Sequence, residues 1–75
     1  IRHTAVQCKE VAEMEGMERR EVEERIFRPS GQISGMCSKL LGEEVLEELG
    51  LTARDIARHV LETMLRRRAE ITQPV

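Results

Sequence analysis

Residues 28–50 read RPSGQISGMCSKLLGEEVLEELG and hold four of the chain's five glycines, together with one of its two prolines. Everything around them is rich in strong helix formers, so the reading of this stretch decides how many helices the chain makes. Pro29 disfavours helical backbone at the residue before it and removes a donor. A helix arriving from the N-terminal side is therefore expected to end by Phe27 or Arg28, with RPSG as a loop and Gly31 part of that turn. Beyond the loop, Ile33, Met36, Cys37, Leu40 and Leu41 follow helical spacing, which predicts an apolar stripe on a helix of about 32–41. Gly42 interrupts it. Glu43 and Glu44 suit a fresh N-terminus, which favours a short helix over 43–49, with one bent helix as the alternative. Gly50 fits a left-handed cap with Leu51 folding back on the preceding turn. Gly35 alone has no local explanation, and marks a place for close packing or a partner.

On the C-terminal side, Thr52 to Asp55 resembles a capping box with Asp in place of Glu. It opens a helix of about 53–69 with Ile56, Ala57, Val60, Leu61, Met64 and Leu65 on a broad stripe, and Arg66, Arg67 and Arg68 in its last turns. On the N-terminal side, Gly16 divides residues 3–28 into helices of about 4–15 and 17–28. Glu21 with Arg25 and Glu24 with Arg28 are acid-first pairs at i, i+4. No strand-like alternation or internal repeat occurs. The expectation is an all-α fold, a compact orthogonal bundle of four to five short helices in a single domain. The chain starts at Ile1 and ends in ITQPV, as a fragment of a longer protein would.

Seventy-five residues with Phe27 as the sole aromatic must build a core from aliphatic side chains. At this size such a core supplies about 3–5 kcal/mol, so completion by a partner is expected. Cys8 and Cys37 are too few for a disulfide framework; two free, buried thiols are the favoured reading, with a single bridge between them as the alternative. The longest apolar run falls short of the roughly 18 residues of a membrane span, and no signal-peptide pattern opens the chain, which points to an intracellular protein. Charged residues make up 35% of the chain with a formal net charge of −2, short of the basic surplus of a dedicated nucleic-acid binder.

The carboxylates lie on charged helix faces beside arginines, without the apolar wall that moves a pKa for acid–base work. Ser30, Ser34 and Ser38 have no neighbouring His and no nucleophile-elbow pattern, so no enzyme is expected. His59 stands within reach of Asp55 and Glu62 on one helix face, a poor metal set that reads as an exposed charge ladder with Arg66; no metal or cofactor is expected. Met14, Met17, Met36 and Met64 suit core filling first and an adaptable binding surface second, Met36 being the most accessible beside Gly35.

Two stretches resemble known families. LGLTARDIARHVLETMLRR (49–67) is similar to the recognition half of helix-turn-helix regulators, where a Leu-Gly-Leu-Thr turn precedes the helix that enters the DNA groove. That resemblance implies DNA binding by the last helix, with Arg66, Arg67 and Arg68 touching phosphates. This helix departs from the pattern in offering Asp55, His59, Glu62 and Thr63 on its presented face, two of them acids. EERIFRPSGQISGM (23–36) followed by an amphipathic helix resembles the peptide-binding MLLE domain of poly(A)-binding proteins. There a Gly-Glu-Arg-Leu-Phe-Pro helix is coupled to a Lys-Ile-Thr-Gly-Met helix, which implies a peptide groove at Phe27 and Met36. Here the connection is several residues shorter, Gln32 replaces the Lys, and Cys37-Ser38-Lys39 replaces the Leu-Leu-Glu after Met. The family is not assigned on so short a match.

The expected function is accordingly protein–protein interaction through an apolar helical face, with another helix or peptide, or a second copy, as partner. The candidate contact residues are Phe27, Ile33, Gly35, Met36, Leu40, Val60 and Met64. DNA binding through Arg66 to Arg68 is the alternative.

Overall fold

The computed structural model describes residues 2–72, with side chains for 4–71; the side chain of His3 and the final residues 73–75 lie outside the described residues. The chain is all-α, with helices α1 (Arg2–Glu15), α2 (Arg19–Leu41), α3 (Glu43–Leu49) and α4 (Ala53–Thr72). Only Gly42 separates α2 from α3, so the two form one helix bent at that residue. Three helical bodies result, instead of four to five separate helices.

The largest departure from expectation is at Pro29, which lies inside α2. The helices expected at 17–28 and 32–41 merge into one helix of 23 residues that starts at Arg19, and RPSG is not a loop. Burial explains the continuity. Val22, Ile26 and Ser30, spaced four apart, are all buried, and a break at Pro29 would pull Ser30 off this line. The Ser30 hydroxyl donates to the Ile26 carbonyl at 2.7 Å, which satisfies a polar group that is 2% exposed. Gly31 is therefore a helical residue as well.

Elsewhere the local signals hold. α1 stops before Gly16, where Met17 N–H donates to the Ala12 carbonyl at 3.0 Å. α3 ends in a Schellman motif. Gly50 is left-handed (φ 70°, ψ 37°), its N–H donates to the Glu47 carbonyl at 3.3 Å, and Leu51 N–H reaches the Leu46 carbonyl at 2.8 Å. Asp55 N–H donates to Thr52 Oγ1 at 3.3 Å, and the Thr52 hydroxyl donates to Asp55 Oδ2 at 2.7 Å. That is the first half of a capping box, with the carboxylate turned onto the hydroxyl.

The core lies at one end. Cys8, Val11 and Ala12 of α1, Val22 and Ile26 of α2, and Ala57 and Leu61 of α4 form it, with Met14, Met17, Phe27, Met64 and Leu65 packed on its edge. α3 packs against α2 through buried Leu46. The C-terminal half of α2 contributes no hydrophobic side chain to the core. The molecule is correspondingly elongated: its radius of gyration is 13.8 Å, against about 11 Å for a compact chain of this length.

Candidate partner-binding face

Helix geometry carries the core-facing line of α2 past the end of the core. At 100° per residue, Val22, Ile26, Ser30, Ile33, Cys37 and Leu40 fall within about an 80° sector. The first three are buried, but Ile33 is 49% exposed and Leu40 83%, and Met36, about 40° outside the sector, is 66% exposed. Leu41 borders the same sector and is also exposed. One amphipathic helix thus has its apolar side covered by α1 and α4 at one end and open at the other.

The opposite side of α2 is occupied differently. Gly31, Ser34, Gly35 and Ser38 line a groove of about 370 Å3 together with Glu43, Leu46 and Glu47 of α3 and Thr52 and Ala53 at the start of α4. Gly35 does not mediate close packing within the chain, because a Cβ added there would meet no atom within 4 Å. It also stands on the side of α2 away from Ile33 and Leu40. Phe27 is likewise off that line. It is half-buried against the core and borders a cleft of about 440 Å3 with Thr4, Ala5, Cys8, Glu23, Glu24 and Arg54.

On α4, Met64 packs on the core edge and Val60 is exposed. The two share a shallow cleft with His59, Thr63 and Arg67. The seven candidate contact residues therefore divide: Ile33, Met36 and Leu40 form one continuous face, Val60 and Met64 a second, and Phe27 and Gly35 stand apart. Sequence reasoning did not single out Leu41 or Leu49 as contacts, yet both are exposed large aliphatics, Leu41 beside the bend at Gly42 and Leu49 at the end of α3. The signal was present in the helical spacing of Leu41.

The charged residues arrange themselves less simply than their spacing suggests. Arg19 Nε pairs with Glu23 Oε1 at 3.0 Å, and Arg25 Nη1 donates to the Met17 sulfur at 3.3 Å instead of pairing with Glu21. Exposed ion pairs contribute so little that packing of the Arg25 stem decides its position. Asp55 pairs with Arg58 at 3.5 Å, not with His59. Arg66, Arg67 and Arg68 are exposed on the last turns of α4.

Cys8 and Cys37 are both free, Cys8 fully buried and Cys37 half-buried on the open line of α2. Burial pushes the Cys8 thiol up from its ordinary value; Glu23 adds to the rise and Arg19 opposes it. Among the described residues no three His, Cys, Asp or Glu side chains are placed to hold a metal ion, and no helix is long and apolar enough to cross a membrane. Comparison with protein-family models, with curated proteins and with solved structures found no match.

Proposed function

We propose that this chain is a non-catalytic protein–protein interaction module that receives an amphipathic helix, a peptide or a second copy of itself on the open half of α2. The observation that carries this reading is the continuity of one apolar line, buried at Val22 and Ile26 and open at Ile33, Met36 and Leu40. An exposed aliphatic residue on its own is ordinary, whereas a contiguous row in register with the core marks an interaction surface. Val60 and Met64 offer a smaller second contact. Two free thiols suit a reducing compartment, the cytoplasm or nucleus.

Binding to a displayed library of helical peptides tests the proposal. Amphipathic helices are expected to be enriched, Met36→Glu or Leu40→Glu to weaken them at least about tenfold, and alanines at Arg66, Arg67 and Arg68 to leave them unchanged. Binding insensitive to both glutamate variants would overturn it. The DNA-binding alternative makes the opposite forecast, steep weakening with salt and loss on removal of the three arginines.

A further inference from the structure

Three clefts meet at Met64. The first lies along α4 beside Val60 and Arg67, the second reaches Arg68 and Ile71, and the third, of about 340 Å3, opens sideways onto Met17 and Arg25. At 100° per residue, Val60, Met64, Arg67 and Ile71 fall within about a 60° sector, so the joined furrow follows one side of α4 for about 16 Å, or three turns. Val60 and Ile71 are exposed and Met17 and Met64 half-buried, which gives it an apolar floor. Arg25, Arg67 and Arg68 line it with a single carboxylate, Glu15. Among the described residues, Glu15 has no cation and neither Arg25 nor Arg67 a carboxylate within 4.0 Å. Arg25 donates to the Met17 sulfur, a weak acceptor that engages one of five guanidinium donors.

We infer that this furrow receives an acidic amphipathic helix of another protein, about three turns long, with its apolar side on Val60, Met64 and Ile71 and its carboxylates against Arg25 and Arg67. The inference rests on the interaction-module reading and adds a second site whose partner has a defined charge. What lines the furrow names the occupant. Methionines adapt to the apolar side of a helix, and cations without a partner in their own chain favour carboxylates. A nucleic-acid strand would call for stacking aromatics, and none lines the furrow. Val60 and Ile71 are its exposed large aliphatics, against Ile33, Met36, Leu40 and Leu41 on the open half of α2. It therefore holds its helix more weakly, and the helices enriched from a displayed library are those of the α2 face.

Fluorescence anisotropy tests this with a labelled helical peptide of about 16 residues, Leu at helical spacing and Glu beside it, and with its Lys-for-Glu counterpart. Each is titrated with the whole chain and with its Leu40→Glu variant, in which the α2 face is blocked. The acidic peptide is expected to bind both proteins alike, and the Lys peptide at least about tenfold more weakly. Val60→Glu and Arg67→Glu should each weaken the acidic peptide at least about tenfold, and Arg25→Glu with Arg67→Glu should turn the preference to the Lys peptide. Circular dichroism should show unchanged helicity in these variants, since all three side chains are exposed. Equal binding of the two peptides, no binding up to about 1 mM, or binding indifferent to Val60→Glu and Arg67→Glu would overturn the inference. Duplex DNA or phosphatidylserine vesicles bound through the same arginines, with the acidic peptide rejected, would overturn it in favour of phosphate recognition. If displayed helices still bind through Leu40 while the acidic peptide fails, this site alone falls; if both fail, the module reading falls with it.

Discussion

Pro29 leaves the Arg25 carbonyl without its usual intrahelical donor, and α2 nevertheless runs through it. The packing of Val22, Ile26 and Ser30 along one side outweighs that cost. Because Pro29 itself is exposed, Pro29→Ala should restore the missing donor without disturbing the core. We expect a stability gain of about 1–2 kcal/mol, the helix gain being partly offset by the looser unfolded chain. A higher urea midpoint with an unchanged m-value is the measurement; a lower midpoint would mean that the proline shapes the packing.

Cys8 makes a prediction of a different sign. Its thiol titrates higher folded than unfolded, so its contribution is complete below the ordinary value of 9.0 and is lost as pH rises through the folded value. Unfolding free energy should fall in that alkaline window, and Cys8→Ala should remove this part of the loss. At neutral pH a thiol reagent should modify Cys37 well before Cys8.

The bend between α2 and α3 depends on Gly42, whose φ of 87° with ψ of 156° is a region that essentially only glycine occupies. Its N–H closes α2 on the Ser38 carbonyl at 2.9 Å, and its own carbonyl accepts the Leu46 N–H that opens α3 at 3.2 Å. One residue thus serves both helices. Gly42→Ala should destabilise the chain by about 1–3 kcal/mol or straighten the pair into one long helix. Urea unfolding reads the first outcome and a longer radius of gyration in solution scattering the second; no change in either would refute this account of the bend.

For the molecule as a whole, the uneven core implies uneven sensitivity. Leu61 is fully buried where α1, α2 and α4 meet, so Leu61→Ala should cost about 2–5 kcal/mol, most of the stability a chain of this size has. Leu40→Ala should change it by no more than about 0.5 kcal/mol in the dilute, unassociated chain. Thermal or urea unfolding of the two variants side by side checks the contrast, and equal losses would show that the far half of α2 is covered in solution.

The helical class, the stop at Gly50 and the start at Thr52 were legible in the residues, because each depends on hydrogen bonds made within a few positions along the chain. The apolar spacing of Ile33, Met36 and Leu40 was legible for the same reason, as a property of one helix. Spacing carries no information about which part of a stripe finds a neighbour. That α1 and α4 cover Val22 and Ile26 but stop short of Ile33, and that their packing carries α2 through Pro29, depends on residues such as Val11 and Leu61 far away in the chain. Contacts of that kind outweigh a local preference worth a few kcal/mol, and they exist only once the helices have met.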